Sequence, residues 1–411
     1  MNLRKTRRGI LAVLCTSAMF LAACSSDSND DSTAPSGTEA STEESVAEGG
    51  DADAAILEEA KRISELAASG LVYAPSDTGL ESTDIVAYEE WLGPTETPAP
   101  PADVNVQVIF CAPGTACEVA ANLAVEAAQQ LGWTAEAVAG AGTPDSFAVA
   151  FDTALAKNPD VIMTMAIPDL AVGASLQKAR EAGVITISVA DAENAADPSN
   201  AYDAYVSYRM PLMHQVNAYA IIADSNATAN VLLVNDSAFP NLVTSNAEFK
   251  NVMSKCSGCT VTEVEWQITD ALDPVKAQTA ISNFLQSNPD VNYVVVPYSI
   301  NLSAVVEGVR AAGKADSVTV VTKDGDDVGI AEIVKGGSAF NAGVSLSWIA
   351  YAAIDEAIRA VTGNEFTPTA NLGIGVHLFN KDNTPADGKS EPAYLEAFDW
   401  KSQYLKLWGL G

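Results

Sequence analysis

Two segments of the chain share one pattern, and this internal repeat constrains the fold more than any other feature of the sequence. Residues 155–161 and 285–291 both read Leu-x-x-Asn-Pro-Asp-Val, and each closes a helical stretch and opens a β-branched run. Three further matches follow in the same order: Arg180 with Arg310, Gly183 with Gly313, and Asp191 with Asp324. Asn-Pro-Asp alone is common in turns between helix and strand, but a series of matches in fixed order predicts two similar lobes.

From residue 104 onward, β-branched runs alternate with alanine-rich helical stretches. This alternation is typical of βαβ units, in which helices cover both faces of a parallel sheet. The runs are 104–110, 134–139, 161–167, 184–190, 230–235, 261–266, 291–297, 318–322 and 342–346. We therefore predict an α/β fold with two similar Rossmann-like lobes, each built on a parallel sheet and hinged around a ligand cleft.

The segment before residue 24 has the features of an export signal. Four bases and no acid lie within the first eight residues. The apolar run that follows at 10–23 is too short to span a bilayer. Leu-Ala-Ala before Cys24 resembles the lipobox of bacterial lipoproteins, which implies cleavage before this cysteine and its acylation. A plain secretory peptide with a chance cysteine is the alternative, and Arg7-Arg8 leaves the export route, Sec or Tat, open.

The residues between this signal and the lobes are predicted to form no domain of their own. Residues 24–53 are acidic and polar without a base, a composition that cannot bury enough apolar surface to fold, so we predict a disordered tether. Residues 54–103 are predicted as one amphipathic helix at 54–69 followed by an extended proline-rich strap.

Charge and composition exclude several classes of function. The chain has 53 acids against 22 bases and a formal net charge of −31, which opposes binding to nucleic acid. His214 and His377 are its two histidines, too few for multi-histidine metal sites. Phosphate-loop, dinucleotide and nucleophile-elbow motifs are all incomplete. We expect no catalytic residue, no cofactor and no metal, although Asp324, Asp326 and Asp327 could be read as a cation site instead of a helix start.

Four further cysteines form two close pairs in sequence. Cys111 and Cys117 flank a loop after the first strand, and Cys256 and Cys259 follow a helix. In an exported protein both pairs are predicted to be local disulfides. Zinc would require the pairs to converge, yet they lie in different predicted lobes.

Ligands of open parallel sheets bind outside the carboxyl ends of the strands, where loops diverge. The predicted cleft is therefore lined by loops that follow the strands, namely 110–117, 168–169, 191, 235–239, 298–301, 323–324 and 345–348.

The layout of residues 104–363 resembles the type I periplasmic binding proteins, specifically the sugar-binding lipoproteins that supply ABC importers. The resemblance depends on the Asn-Pro-Asp-Val turn at 158–161, on Ala-Arg-Glu-Ala-Gly-Val at 179–184, and on 318–325. It implies that Phe110 stacks on a sugar and that Asp191 and Asp324 accept its hydroxyl hydrogens. The charged residues that this family usually offers are missing near 241–246 and 298–299, which favours a more neutral cleft.

The predicted ligand-binding residues are Phe110, Asp169, Asp191, Asn235, Phe239, Tyr298, Asp324 and Trp348. The predicted first lobe comprises 104–205 plus 326–348, and the second comprises 206–325 plus 349–411, with hinge segments near 202–210 and 324–328. The resemblance implies a monomeric receptor on the outer face of the cytoplasmic membrane that binds a small neutral solute, favouring a sugar or polyol, and docks on an ABC permease. A more apolar or aromatic solute, and a sensory instead of a transport role, remain alternatives.

Overall fold

The computed structural model describes residues 47–191, 200–368 and 372–411, with side chains from residue 53 onward. The predicted export signal 1–23, Cys24 and most of the predicted tether lie outside the described residues. Among the helices that the structure does describe, we find none with the length and apolar character needed to cross a membrane.

The described chain begins with helix α1 (Ala47–Ser69), followed by two short antiparallel strands, β1 (Val72–Tyr73) and β2 (Val86–Ala87). The helix predicted at 54–69 therefore starts seven residues earlier, and the tether predicted to reach residue 53 is shorter. Residues 47–53 contain no large apolar side chain, so hydrophobic periodicity cannot reveal these turns.

The first lobe is built on five parallel strands in the order β4-β3-β5-β6-β7. Its strands are β3 (Asn105–Phe110), β4 (Thr134–Ala139), β5 (Val161–Met165), β6 (Ile185–Val189) and β7 (Ala204–Val206). The helices between the first four strands are α2 (Ala116–Gln130), α3 (Pro144–Leu155) and α4 (Asp169–Glu181).

The second lobe has a six-stranded sheet in the order β13-β12-β11-β10-β8-β9, in which only the β12–β13 pair is antiparallel. Its strands are β8 (Asn230–Asn235), β9 (Thr260–Glu265), β10 (Tyr293–Val295), β11 (Thr319–Asp324), β12 (Phe340–Gly343) and β13 (His377–Phe379). Every predicted β-branched run overlaps a strand, and the predicted α/β class with two parallel sheets is confirmed.

The remaining helices are α5 (Met210–Asp224), α6 (Pro240–Met253), α7 (Ile268–Ala271), α8 (Pro274–Ser287), α9 (Leu302–Ala311), α10 (Asp327–Val334), α11 (Leu346–Val361), α12 (Glu391–Ala397) and α13 (Trp400–Leu407). α5 opens the second lobe and packs against both α6 and α1.

The predicted division of the chain between the lobes is wrong after residue 325. The segment 326–348 was assigned to the first lobe, but β12 within it pairs with β11 in the second sheet. Most of α11, from residue 349 onward, was assigned to the second lobe, but this helix packs on α2 of the first, where Tyr351 donates a hydrogen bond of 2.9 Å to Gln130. Alternation of runs shows where strands lie but not which sheet each one joins, because pairing is decided by long-range contacts.

The segment between α1 and β3, which we call the strap (residues 70–104), connects the two lobes. Near its start, Val72 forms a bridge with Val376 at the edge of the second lobe. Farther along, the Trp91 ring stacks 6.0 Å from Trp348 at the start of α11, and Thr97 donates a 2.7 Å hydrogen bond to Asp355. The strap is therefore packed against both lobes.

Candidate functional site

A cavity lies between the carboxyl edges of the two sheets, where the parallel topology brings the strand ends of both lobes together. The space inside it that the centre of a water molecule can reach is about 80 Å³. The first lobe contributes Cys111, Thr115, Ala116, Cys117, Ala120, Met165, Ala166, Val189 and Ala190. Residues Tyr208, Met210, Phe239, Asn241, Leu242, Ile268, Tyr298, Ser299, Ile300, Lys323, Asp324 and Ile349 complete the lining.

The loop after β3 forms part of the first-lobe wall. The sulfurs of Cys111 and Cys117 are joined across it, with Cα atoms 5.9 Å apart. Thr115 precedes α2, and its hydroxyl donates a 2.6 Å hydrogen bond to the carbonyl of Ala112. Gly114 has a φ of 79°, and a Cβ there would lie 3.2 Å from Ile300 of the second lobe. The loop is thus cross-linked and reaches the opposite wall. Cys256 and Cys259 are joined as well, far from the cavity, with Cα atoms 5.3 Å apart.

A buried ion pair stands on the opposite wall, at the end of β11. Lys323 Nζ contacts Asp324 Oδ1, which also accepts a 3.2 Å hydrogen bond from the hydroxyl of Tyr208. The ammonium lies 5.5 Å from the centre of the Tyr208 ring, an arrangement that adds a cation–π attraction. Burial, followed by the charge of Asp324, raises the pKa of Tyr208 well above its ordinary value, so its hydroxyl stays protonated.

Asp326 supports this wall from behind. It begins α10 by accepting a 2.9 Å hydrogen bond from the Gly329 amide, and the hydroxyl of Ser299 donates to its other oxygen at 2.7 Å. Burial and then the charge of Asp324 raise the pKa of Asp326 to about 6. Asp327 instead contacts Lys389 and Ser390. Among the described residues, no three acids, histidines or cysteines are grouped so that they could hold a metal ion. Asp326 caps the start of α10, and Asp324 and Asp327 lie next to it in the chain.

Two aromatic residues meet on the second-lobe wall. The Phe239 ring, at the start of α6, lies 6.4 Å from the Tyr298 ring at an angle of 74°. The Tyr298 hydroxyl donates a 3.0 Å hydrogen bond to Asp236, and burial raises the pKa of Tyr298 well above its ordinary value. This edge-to-face pair presents apolar ring surface beside a fixed hydroxyl.

The two walls touch across the cavity. Asn241 on α6 donates a hydrogen bond from Nδ2 to the carbonyl of Ala190 at the end of β6. Ile268 of the second lobe also approaches Gly142 of the first. A Cβ on Gly142 would lie only 3.1 Å from the Ile268 side chain. Ala166 and Ala190 both have left-handed backbone, with φ of 52° and 66°, directly after β5 and β6. Such backbone in alanine is sterically costly and is typical of functional loops.

Of the eight predicted ligand-binding residues, only Phe239, Tyr298 and Asp324 line this cavity. Phe110 ends β3 within the first-lobe core, and the next residue, Cys111, reaches the cavity instead. Trp348 is fully buried among aromatic rings, with Trp91 at 6.0 Å and Trp400 at 5.6 Å. Successive side chains at a strand end or helix start point to different faces, so proximity in sequence does not place both in a cleft.

Polar partners within one lobe hold two more of the predicted residues. Asp169 at the start of α4 accepts a 3.0 Å hydrogen bond from the Tyr205 hydroxyl. Asn235 donates to Glu265 at 2.9 Å and accepts from Asn246 at 3.1 Å. Both side chains fix loops behind the cavity wall and do not line the cavity.

Asp191 lines a second, more polar cavity beside the segment near 202–210 that is predicted as a hinge. The space open to the centre of a water molecule there is about 430 Å³, and its lining includes Asp77 of the strap together with Tyr202 and Ser207. The two cavities share Ala190, Tyr208, Met210 and Asn241 in their linings. Asp191 therefore lies next to the interlobe cavity but on the far side of Ala190.

Several lining residues were missed by sequence reasoning. Met165 and Val189 end buried strands and look like ordinary core residues in the sequence. Tyr208 falls in the segment predicted as a hinge, and a crossing segment must run beside the cleft, so its position carried a usable signal. Asn241 and Ile268 lie beyond the predicted cleft loops, in α6 and α7.

The family model described as a periplasmic binding protein domain matches residues 111–365. Among solved structures, the chain is similar to an ABC sugar transporter subunit from Rhodobacter sphaeroides 2.4.1, with 18% identity, 68% of this chain and 99% of that chain covered, and a TM-score of 0.58. The chain is also similar to a solute binding protein from Agrobacterium vitis bound with alpha-D-tagatopyranose. The identity is 20%, the match covers 72% of this chain and 99% of that chain, and the TM-score is 0.62.

A third similar structure is a 5-methylthioribose transporter solute binding protein from Thermotoga lettingae TMO in complex with 5-methylthioribose. The identity is 17%, the match covers 75% of this chain and 100% of that chain, and the TM-score is 0.62. No curated protein is significantly similar to the chain. At these identities the solved structures show a shared fold, and the family model covers more than half of the chain.

Proposed function

The chain belongs to the periplasmic binding protein family, whose members bind solutes and are not enzymes, and on this premise we propose that it is the solute receptor of an ABC importer. One observation carries the proposal: the carboxyl edges of two parallel sheets close over a cavity, and Asn241 joins the two lobes across it. Ligands of open α/β sheets bind at this edge, and closure of two lobes encloses them.

The proposed ligand is a small neutral solute, with a sugar or sugar-like polyol as the favoured class. Solved proteins of the same fold are described as binding tagatopyranose or 5-methylthioribose, which supports a carbohydrate-related ligand. Phe239 and Tyr298 offer ring surface for the CH groups of such a molecule, and Asp324 offers a hydrogen-bond acceptor. A more apolar solute remains the second candidate, favoured by the many aliphatic side chains in the lining.

We propose that residues 1–23 are removed and that Cys24 carries a lipid anchor on the outer face of the cytoplasmic membrane. The lipobox-like sequence before Cys24 supports this, as does the acidic segment that would space the lobes from the membrane. Growth with a labelled fatty acid tests it: label should be lost in Cys24→Ser and retained in Cys15→Ser. Retention in both variants would contradict the anchor.

An ABC permease is the proposed partner, and the receptor is proposed to act as a monomer. A membrane-bound sensor is the alternative partner, because both would recognise the closed pair of lobes. Crosslinking of the closed, ligand-loaded receptor in membranes, followed by identification of the captured membrane protein, separates the two. Recovery of a histidine kinase or chemoreceptor would contradict the transport role.

The central experiment is native mass spectrometry of the full chain, solubilised from membranes, combined with small-angle scattering before and after ligand removal. We expect one small molecule per chain and a more extended particle once the molecule is removed. A chain that carries no ligand, binds none from a panel of sugars, polyols, nucleosides and small aromatics, and never changes shape would refute the proposed function.

A further inference from the structure

We infer that the interlobe cavity selects a two-sided solute: one side apolar, facing the first lobe, and the other side carrying the hydrogen-bonding groups, facing Lys323 and Asp324. A ring with hydroxyl groups on every side would be disfavoured. This inference rests on the proposed function, because it concerns the ligand of the same cavity.

The first-lobe wall offers almost no hydrogen-bonding side chain. Of the nine first-lobe residues in the lining, Thr115 alone has a hydroxyl, and this hydroxyl already donates to the carbonyl of Ala112. The carbonyl of Ala190 is likewise taken, since it accepts from Asn241. The first-lobe acids Asp169 and Asp191 lie outside this lining. The Thr115 oxygen and the second lone pair of the Ala190 carbonyl can still accept, but several hydroxyls buried against this wall would lose their water and most would gain no partner.

The opposite wall concentrates both kinds of hydrogen-bonding group. Lys323 Nζ has three hydrogens, and among the described residues its hydrogen-bond partner is Asp324 Oδ1, which leaves donors for a ligand. Among the described residues, the Ser299 hydroxyl lies 3.5 Å from Asp324 Oδ2 but already donates its one hydrogen to Asp326, so Asp324 Oδ2 keeps acceptor capacity. A ligand head with a hydroxyl can accept from Lys323 and donate to Asp324 at the same time.

The paired charges on this wall suit a ligand whose hydrogen-bonding side is neutral. Lys323 and Asp324 are the two ionisable groups of opposite charge in the lining, and they neutralise each other. A second anion or cation in the cavity would be buried without a counter-charge, which is costly in a low-dielectric site. The second-lobe wall therefore recognises a hydroxyl or ether pattern, and the first-lobe wall recognises alkyl or ring CH surface.

Two matched pairs of probes test this selectivity: D-ribose with 5-deoxy-D-ribose, and myo-inositol with cis-1,2-cyclohexanediol. Calorimetric titration of the ligand-free full chain measures the affinity for each, and scattering measures closure. In each pair we expect the less hydroxylated member to bind at least about five-fold more tightly, since a buried hydroxyl without a partner costs at least that factor.

A pair of variants locates the effect on the first-lobe wall. Val189→Thr places a hydroxyl on that wall with little change of shape and should narrow the affinity ratio within each probe pair several-fold. Val161→Thr introduces the same change at the start of the neighbouring strand β5, at the edge of the sheet opposite the cavity, and should leave the ratios unchanged. Equal ratios in the Val189→Thr variant and the original chain would contradict the assignment of that wall.

The outcomes separate the inference from the proposed function. Closure around D-ribose or myo-inositol with an affinity equal to or above that of the matched partner overturns the inference and supports the proposed function. Failure of all four probes also overturns the inference, and closure with another solute would then leave the proposed function standing. Absence of closure with any solute overturns both.

Discussion

Arg209 forms a buried ion pair with Asp77, and this pair ties the strap to the segment that crosses between the lobes. The guanidinium Nη1 lies 2.7 Å from Asp77 Oδ1, and the side chain of Arg209 is 2% exposed. A second guanidinium nitrogen donates to the carbonyl of Ala74, and the Tyr73 ring lies 5.2 Å from the guanidinium carbon. The strap therefore contributes to the surroundings of the hinge.

Replacing Arg209 with methionine should lower the free energy of unfolding by about 3 kcal/mol, because Asp77 loses its counter-charge in a partly buried site. Chemical denaturation of the ligand-free chain measures the loss. Lys276→Met is the matched control, since Lys276 is 61% exposed in its pair with Asp270 and should change stability by less than about 0.5 kcal/mol. Equal effects of the two substitutions would contradict a structural role for the strap.

The sequence alone did not indicate that the strap packs against the segment that crosses between the lobes. The prolines before residue 102 predict an extended chain, and the alternation of β-branched runs was sufficient to predict every central strand of the two lobes' sheets. β7 and β13 were not predicted, because neither contains a run of β-branched residues: they read Ala-Tyr-Val and His-Leu-Phe. The partner of Arg209 lies 132 residues away, and no local pattern records such a contact.

Asn241→Ala should open the lobes in the absence of ligand. The substitution removes the hydrogen bond to the Ala190 carbonyl, which joins the lobes only when they are closed. Losing one such bond shifts the balance between open and closed forms by about 1 kcal/mol, and weakens ligand binding by about five-fold if closure accompanies binding.

Small-angle scattering of the ligand-free chain and titration with the copurified solute measure these two effects. Asn251→Ala on the same helix is the control, because Asn251 is exposed and lines neither cavity. An unchanged particle size and an unchanged affinity in Asn241→Ala would show that this contact does not hold the lobes together.

Phe239 and Trp348 were both predicted as ligand-binding aromatics, and the structure separates their roles. Phe239 lines the cavity, whereas Trp348 lies in a cluster with Trp91, Phe398 and Trp400. Phe239→Leu should therefore weaken solute binding about five-fold, with a small effect on stability. Trp348→Phe should reduce the free energy of unfolding by about 2 kcal/mol and leave the affinity unchanged. Titration and denaturation of both variants distinguish these outcomes, and a loss of affinity confined to Trp348→Phe would reverse the assignment.

The same contrast shows what limits site prediction from one sequence. Loops after the strands were expected to line the cleft, and Tyr298 and Asp324 do line the cavity. Met165 and Val189 also line it, but a buried aliphatic residue at a strand end has the same sequence signal whether it faces a cavity or a helix. Each half of the site was thus predicted only in part: Phe239, Tyr298 and Asp324 line the cavity, whereas Asp169, Asp191 and Asn235 do not.

Glu356 should make the stability of the fold fall as the pH rises. This residue of α11 is almost fully buried and accepts a 2.9 Å hydrogen bond from the Thr367 amide. Burial raises its pKa from an ordinary value near 4.5 to about 7, despite Arg359 at 3.5 Å. Between these two values the folded chain keeps a proton that the unfolded chain releases, so stability is lost as the pH rises through that interval and is constant above it.

Glu356→Gln keeps an acceptor for the Thr367 amide and removes the ionisable group. The difference in unfolding free energy, original chain minus variant, should therefore fall by about 2–3 kcal/mol between pH 5 and pH 8. Denaturation at both pH values measures it, and subtraction cancels the contributions of His214 and His377, which titrate in both proteins. Glu181→Gln, at an exposed position on α4, is the control substitution, measured at the same two pH values. A difference for Glu356→Gln that stays constant or grows with pH would show that Glu356 is ionised in the folded chain at pH 5.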